Sequence, residues 1–570
     1  MHARFALVAV LLFGSAGPSS AAAPTARDEA LDLAPPDYAL VVVVQNLRDH
    51  HKEITDSPFV EWFPSSALGK RLLSAQDVKN VTAGAGPILG ALGITPADLI
   101  DDILGDAVVF AYTPGTPADP KTEHSVILIR PRKSGTLAAV IGRLNDLQTK
   151  SGELKAVTER KHAGAAYFER QKPEGPSEFY CFRDGVFAFS QSEADIRSVL
   201  AREKPPKDKP SELASRMTKL GVADAAVAVL VNPRALDAEL AAKVNAAPGD
   251  ERAFLTRFAD VWAATDALAL YFGIGTDVEA GVSLHFVPEK LPAGVKAWLV
   301  GERTPSALWA SVPGDALFAA AGRVKPNDVL DVIAQLAPMG GKPGIRESLD
   351  ATFGPVLGKD KFPLVLDALG PDWGVWVRPP AKGQTAPAVI AAVKVNDAGP
   401  KGVEASKALT QALEYGFQVT RVTYNAKHKD QIELKEESHA GAVIKSLTGG
   451  NFPPGFTPCF ALKSGYLVLS TAPDAIKAFK PPAGHPKPGG DAPLVRFNAA
   501  GTRDYLTAQA PQLAKLLMSA GAGEEKALTE QLGNLALVLE PIEKVELLAR
   551  GDATGLKLML RVKPVKPLKK

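Results

Sequence analysis

The chain has 570 residues, of which 46% are hydrophobic, and its 65 basic residues nearly balance its 63 acidic residues. So small a net charge creates no field that would steer a nucleic acid or an anionic surface, and we expect no nucleic-acid partner. The length and the apolar content predict two large domains or roughly three or four smaller structural units.

The N-terminus has the three-part layout of a secretory signal peptide. Arg4 supplies a positive charge, Phe5–Phe13 is apolar, and Gly14–Ala23 is rich in small residues. The apolar stretch is about half of the roughly 20 residues needed to cross a bilayer, so we predict that residues 1–23 are removed near Ala23. No later apolar run reaches spanning length. We therefore expect a periplasmic or secreted protein without a transmembrane anchor in the mature chain.

Strands and helices follow one another irregularly after this leader. A valine-dense strand occupies Asp37–Gln45, Pro58–Leu73 has helical spacing, and a Thr95-Pro96 start signal precedes a helix at Ala97–Leu104. The pattern predicts further helices at 85–92, 136–147, 193–200, 235–244 and 251–262, and strands at 107–112, 125–129, 155–159, 165–170, 178–183, 186–190, 225–231, 268–274 and 280–286. Near the C-terminus it predicts a strand at 494–498, helices to about 532, and strands at 535–538, 545–549 and 556–562. Hairpins interrupted by helices indicate an α+β fold with mainly antiparallel sheets.

Several short segments occur twice at nearly one displacement. The letters HAGA occupy His162–Ala165 and His439–Ala442, and 439 − 162 = 277. Four other pairs recur at displacements of 276 to 280 residues: Cys181-Phe182 with Cys459-Phe460, Asp37 with Asp315, Ser190 with Ser470, and Lys204-Pro205-Pro206 with Lys480-Pro481-Pro482. We predict two tandem copies of one mixed domain, at 34–290 and 305–566, connected by Pro288–Pro305 and followed by a basic tail at 567–570.

Each HAGA segment lies between two extended stretches. Gly164 and Gly441 are expected to supply a turn or bulge, because glycine adopts positive φ without a steric cost. His162 and His439 are then half-exposed residues at strand ends. The alternative is a general base or a metal ligand, although no serine, cysteine, carboxylate or second histidine lies at a useful spacing.

The motif content indicates neither a cofactor nor a catalytic site, so the sequence predicts no catalytic, cofactor-binding or metal-ligating residues. The glycines of GAGPILG (Gly84, Gly86 and Gly90) miss the dinucleotide fingerprint by one residue, which favours helix entry or close packing. His50-His51 is a poor chelate because adjacent residues point in different directions. Asp101-Asp102 offers too few oxygen ligands for a cation and is expected on an exposed helix face.

The two cysteines lie in apolar strands of the two predicted copies. We expect Cys181 and Cys459 to be buried as small hydrophobic residues, because cysteine is among the most buried residue types. In an exported chain a disulfide between them is the alternative. Reactive thiols are least expected because no cation is placed to lower their pKa.

One aromatic cluster has helical spacing. Phe59, Trp62 and Phe63 stand at i, i+3 and i+4, which places them on one face of a helix. Core packing is the default expectation. An exposed face around Trp62 would indicate a binding surface.

The segments PPDYALVVVVQN, Ser57-Pro58-Phe59, LGITPADLIDDILGDAVVFAY and FRDGVFAFSQSEADIRSVL follow one another across residues 34–200. In this arrangement the chain resembles a family of exported bacterial proteins catalogued only as a domain of unknown function. The second copy lacks the Ser-Pro-Phe helix start and has a shorter middle. The resemblance implies export and a mixed α/β domain of the α+β kind, and it assigns no catalytic residue.

Taken together, these features predict an exported, non-catalytic structural or binding protein of the cell envelope, with an envelope protein or a ligand as its partner. The first alternative is an envelope hydrolase, which would gather His162 or His439 with carboxylates in a deep pocket. The second is a carrier of a hydrophobic ligand, which would require a large apolar cavity within one copy.

Overall fold

The computed structural model describes residues 25–565 except 36, 50–63, 65–69, 71–85, 117–118, 204–205, 207–208, 337–343, 358–360, 485 and 520. The predictions that lie wholly or mostly outside the described residues are the signal peptide at 1–23, His50-His51, the helix at Pro58–Leu73 with its cluster of Phe59, Trp62 and Phe63, Gly84, and the basic tail at 567–570. The described residues fall into two compact units. The first lies within Met1–Ala247, Ala259–Leu291 and Thr554–Lys570, and the second within Pro248–Phe258 and Pro292–Ala553.

The first unit is built on an antiparallel sheet. Its strands are β1 Leu40–Gln45, β2 Ala107–Thr113, β3 His124–Arg130, β4 Ala156–His162, β5 Ala165–Gln171, β6 Glu178–Arg183, β7 Val186–Ser190, β8 Val227–Val231, β9 Thr265–Ile274, β10 Val278–Phe286 and β20 Gly555–Pro564. Their order across the sheet is β4-β5-β6-β7-β3-β2-β1-β8-β9-β10-β20. β1 alternates between buried and half-buried residues, with Val41 and Val43 almost fully buried.

The second unit is built in the same way. Its strands are β11 Phe318–Arg323, β12 Leu369–Arg378, β13 Ala388–Val395, β14 Ile432–His439, β15 Ala442–Gly449, β16 Cys459–Lys463, β17 Tyr466–Ser470, β18 Ala492–Phe497 and β19 Ile542–Gly551. Their order is β14-β15-β16-β17-β13-β12-β11-β18-β19, again antiparallel throughout.

Helices fill the connections between strands, which confirms the predicted α+β class. In chain order they are α1 Ala26–Leu33, the helical residues 86–92, α2 Pro96–Asp98 with a π-helical turn at Leu99–Ile103, α3 Ser134–Ser151, α4 Glu193–Ala201, α5 Glu212–Lys219, α6 Asp237–Ala246, α7 Gly249–Ala264, α8 Ala293–Leu299, α9 Pro326–Leu336, α10 Ile345–Leu357, α11 Lys361–Ala368, α12 Gly399–Lys427, α13 Pro473–Ala478, α14 Ala499–Ser519 and α15 Glu525–Val538. Short 3-10 helices lie at Pro120–Thr122, Pro233–Leu236 and Ala307–Ala310. The Thr95 side chain and Asp98 form a capping box, as the start signal predicts.

Corresponding strands of the two units pair in the same register. Starting at Ser190 on β7, successive partners on β3, β2, β1, β8 and β9 are Val126, Ala111, Val41, Leu230 and Ala269. Starting at Ser470 on β17, successive partners on β13, β12, β11, β18 and β19 are Ile390, Trp376, Ala319, Arg496 and Glu546. Five consecutive pairings therefore give each residue of the first row a counterpart in the second.

The same register corrects the pairing of the cysteines. Ser190 pairs with Phe179 on β6, whereas Ser470 pairs with Cys459 on β16. Cys459 therefore corresponds to Phe179, and the counterpart of Cys181 is Ala461. The predicted match at a displacement of 278 was wrong by two residues, because the strand alternation repeats every two residues and a shift of two preserves the apolar pattern.

Three other details differ from the predictions. Leu535–Val538 was predicted as a strand, but it is the last turn of α15, because a run of four apolar residues fits a helix as well as a strand. The predicted connector Pro288–Pro305 contains the helix α8. Residues 554–565 were predicted within the second copy, and they group with the first unit because β20 pairs with β10.

Candidate functional site

The two HAGA segments form tight turns between hairpin strands. Ala163 and Gly164 have φ values of 51° and 79°, and Ala440 and Gly441 have φ values of 49° and 78°. Two consecutive residues at positive φ are typical of a two-residue type I′ hairpin turn, whose twist matches that of the strands. The prediction that the glycines supply a turn is confirmed.

The histidines of these turns lie at the outer edge of each sheet. His162 is half-buried and His439 is exposed, and neither ring makes a hydrogen bond or an ion pair with any residue that the structure describes. The edge strands β4 and β14 carry charged side chains such as Arg160 and Glu436. Charges on an edge strand discourage pairing with another chain.

Both cysteines are buried free thiols. Cys181 is 0% exposed and Cys459 is 2% exposed, which confirms the predicted burial and shows that the disulfide alternative is wrong. Burial raises the pKa of each thiol to about 12. They are therefore poor nucleophiles at neutral pH.

The remaining sequence candidates do not form a site. Asp102 accepts a hydrogen bond of 2.8 Å from Lys133 Nζ and its side chain is only 13% exposed, so the expected exposed acidic face is wrong at this residue. A Cβ added at Gly86 or Gly90 would meet nothing within 4 Å among the described residues, so close packing against those residues does not explain these glycines. Gly84 lies outside the described residues. Among the described residues, no group of His, Cys, Asp and Glu side chains has the arrangement of a metal site.

A polar cluster in the first unit, which we call the His124 cluster, was not predicted from the sequence. Its members are His124, Asp195, Ser190 and Tyr38. His124 Nδ1 lies 3.0 Å from Asp195 Oδ1, and Ser190 Oγ lies 3.1 Å from Asp195 Oδ2. The Tyr38 ring lies 5.4 Å from the His124 ring, and burial together with the negative charge of Asp195 raises the pKa of Tyr38. The cluster thus holds a nearly buried carboxylate against a half-exposed imidazole.

The second unit lacks this cluster. The shared register places Ala316, Ala388 and Ala475 at the positions of Tyr38, His124 and Asp195. Ser190 alone has a polar counterpart, Ser470. The side chains of Tyr38, His124 and Asp195 therefore have polar character only in the first unit.

The serine has the same structural role in both units. Ser190 Oγ lies 2.7 Å from the Ser125 carbonyl and accepts a hydrogen bond from Ser192 N, while Ser470 Oγ lies 3.0 Å from the Val389 carbonyl and accepts from Ala472 N. This arrangement joins the end of a strand to the following helix. Because it is the same with and without the histidine, the bonds of Ser190 are those of a structural serine and differ from the Ser–His contact of a catalytic triad.

An exposed apolar surface lies on β9, β10 and β20 of the first unit. Alternate residues of these strands point to one face, and on this face they are all hydrophobic. We call this surface the apolar trough; it consists of Leu268, Leu270, Phe272, Val278, Ala280, Val282, Leu284, Leu556, Leu558, Leu560 and Val562. Leu270, Leu558 and Leu560 are 47%, 36% and 44% exposed.

The heights of the side chains give this surface its shape. Val282 on β10 lies between Leu270 and Leu558, and Ala280 lies between Phe272 and Leu560. At these two positions the smaller residue lies on the middle strand between larger residues, which makes a shallow trough along β10, whereas Leu284 lies between two leucines of equal size, Leu268 and Leu556. From Val278 to Leu284 this hydrophobic face extends about 20 Å, at roughly 3.3 Å per residue.

Comparison with known protein families, curated proteins and solved structures gives no match for this chain. The resemblance to an exported bacterial family therefore stays a prediction. Within the described ranges, no helix combines the length and the apolar character needed to cross a membrane. Function is accordingly inferred from the described surfaces themselves.

Proposed function

We propose that the protein is an exported, non-catalytic binding protein of the cell envelope, and that the apolar trough binds an elongated hydrocarbon chain. The observation that carries the proposal is the exposure of Leu270, Leu558 and Leu560 on one continuous hydrophobic face. Exposed apolar patches on protein surfaces usually mark binding sites. The trough is an open surface and not the apolar cavity expected of a carrier, so it supports a protein that binds its ligand at the surface.

The chemistry of the trough favours a hydrocarbon chain over a protein partner. Protein interfaces combine apolar contacts with about one hydrogen bond per 100–200 Å². The trough side chains contain no hydrogen-bonding group, and β10 is paired on both sides, so its backbone groups are already used. A narrow chain that needs only C–H contacts fits such a surface.

The proposal is tested by titrating the purified chain with a fluorescent long-chain fatty acid. Leu558→Lys introduces a charge into one wall, and Ala280→Phe fills the floor of the trough. Each should weaken saturable binding at least tenfold, because each removes several methylene contacts worth about 0.8 kcal/mol apiece.

Leu537→Lys is the matched control, since Leu537 is 61% exposed on α15 and lies outside the trough. It should bind as the unchanged chain does. Equal affinity of the Leu558→Lys and unchanged chains would exclude the trough as the binding surface.

We also propose that the chain contains two copies of one domain, at 34–290 and 305–566. The same strand order and the same register in the two units support this proposal. The recurring type I′ turns at HAGA support it as well.

A further inference from the structure

A second surface of the first unit, separate from the apolar trough, forms a polar cleft. It has a volume of about 380 Å³, and the charged and aromatic side chains that line it are Asp224, Tyr271, Asp277, Glu279, Lys557 and Arg561. Tyr271, Glu279, Lys557 and Arg561 alternate along β9, β10 and β20 with residues of the trough. They therefore lie on the opposite face of these strands.

The floor of the cleft is held rigid by contacts to Glu279. Tyr271 Oη donates to Glu279 Oε1 at 2.8 Å, and Arg561 lies 3.2 Å from Glu279 Oε2. Lys557 Nζ donates to the Gly221 carbonyl at 2.9 Å and lies 4.2 Å from the centre of the Tyr271 ring. The two cations and the carboxylate are thus fixed before any ligand arrives, which lowers the entropic cost of binding.

Two glycines determine the space in the cleft. A Cβ at Gly281 would lie 2.4 Å from the Leu558 carbonyl oxygen and 2.6 Å from the Tyr271 ring. The Tyr271 ring therefore occupies the space that a side chain at position 281 would need. At Gly273, by contrast, a Cβ would meet nothing within 4 Å, although Gly273 lines the cleft. A side chain placed there would extend into the open volume.

The charged residues of the cleft come from different elements: Asp224 precedes β8 and Asp277 lies in the turn between β9 and β10, whereas Lys557 and Arg561 lie on β20. Lys557 and Arg561 lie on the floor, where Glu279 compensates one of the two positive charges. Asp224 and Asp277 complete the lining, and their carboxylates make no hydrogen bond or ion pair with the residues that the structure describes. The site thus offers carboxylate acceptors from the segments beside the strands and multiply donating cations from β20.

We propose that the polar cleft binds a small zwitterion of the α-amino acid class. Its ammonium group is received by Asp224 and Asp277, and its carboxylate by Arg561 and Lys557. An arginine carries five N–H donors in a planar fork, so it serves the ligand carboxylate together with Glu279. A ligand with only a positive charge, or only a negative charge, would contact only the aspartates or only the two cations.

Isothermal titration calorimetry with free glycine, L-alanine and D-alanine tests the proposal. Propylamine and acetate supply one charge each, and glucose supplies hydroxyl groups without charge. At least one amino acid should bind, and the three comparison compounds should bind at least tenfold more weakly. Absence of binding by every amino acid at millimolar concentration, or tighter binding of a comparison compound, would overturn the assignment.

Substitutions in the cleft test whether amino acids bind there. Gly273→Leu fills the cleft and should abolish binding, whereas Gly533→Leu, in which the added side chain also meets open space, should leave it unchanged. Asp224→Asn alters an exposed side chain without threatening the fold and should weaken amino-acid binding at least fivefold. Unaltered affinity in both Gly273→Leu and Asp224→Asn would refute the location. Fatty-acid binding at the trough is measured separately, so either proposal can fail alone.

Discussion

Removing His124 should destabilise the first unit, because its imidazole contacts the nearly buried carboxylate of Asp195. The Asp195 side chain is only 10% exposed, and His124 Nδ1 lies 3.0 Å from Asp195 Oδ1. His124→Ala leaves this carboxylate buried without its hydrogen bond to the imidazole. A hydrogen bond to a charged group contributes about 1.5–3 kcal/mol, and since His124 is 36% exposed, solvent screening lowers the expected loss to about 1–2 kcal/mol.

The double variant His124→Ala/Asp195→Ala reproduces what the second unit already contains, Ala388 and Ala475. Once the carboxylate is absent, no buried charge is left without a partner. We therefore expect the double variant to be more stable than the sum of the single effects predicts, by about 1–2 kcal/mol.

Hydrogen–deuterium exchange read by mass spectrometry is the suitable assay, because the two units need not unfold in one transition. Peptides from β3 and β7 report the opening free energy around the His124 cluster. Peptides from the corresponding strands β13 and β17 provide an internal control and should not change. Additivity of the two single effects within about 0.5 kcal/mol would refute the proposed coupling.

Three further predictions concern thiols, acid stability and export. Since burial raises the pKa of Cys181 and Cys459 to about 12, about one thiol in 10⁴ is ionised at pH 8. The thiol reagent DTNB should therefore label neither cysteine before denaturation and both cysteines afterwards. Fast labelling of the folded chain would contradict their burial. The hydrogen bond from Lys219 lowers the pKa of Asp266, so this contact stabilises the fold above the unfolded pKa of about 3.9 and is lost as pH falls below it. Lys219→Ala should therefore reduce stability at pH 7 and have little effect near pH 2 in urea titrations, and an equal loss at both pH values would speak against the ion pair. Mass spectrometry of the exported protein should find an N-terminus near Ala23; an intact leader on the mature protein would contradict removal of a signal peptide.

Local pattern was sufficient to predict most strands of the first unit. β1 was predictable because it is dense in valine, a β-branched residue that favours strands, and the HAGA turns were predictable because glycine adopts positive φ at low cost. The same information failed at Leu535–Val538, where a short apolar run did not distinguish a helix from a strand. It also failed at the cysteines, because a shift of two residues leaves a strand pattern unchanged.

The two binding surfaces and the His124 cluster could not be predicted, because their members are far apart in sequence. His124 and Asp195 are separated by 71 residues and meet only because β3 pairs with β7. Likewise, nothing in the sequence near Leu270 indicates that Leu558 and Leu560 will complete its surface. The alternating leucines of β9 and β20 are visible in the sequence, but their exposure depends on what covers them.

β20 connects these observations, since it supplies one wall of each surface. Its Leu558 and Leu560 face the apolar trough, whereas its Lys557 and Arg561 face the polar cleft. Strand alternation makes this division unavoidable, because neighbouring residues of a strand point to opposite faces. A substitution at one residue of β20 therefore alters the side chains of one surface and leaves those of the other surface unchanged. Both surfaces nevertheless require the pairing of β20 with β10, so a fragment ending at residue 291 should bind neither a fatty acid nor an amino acid even if it folds.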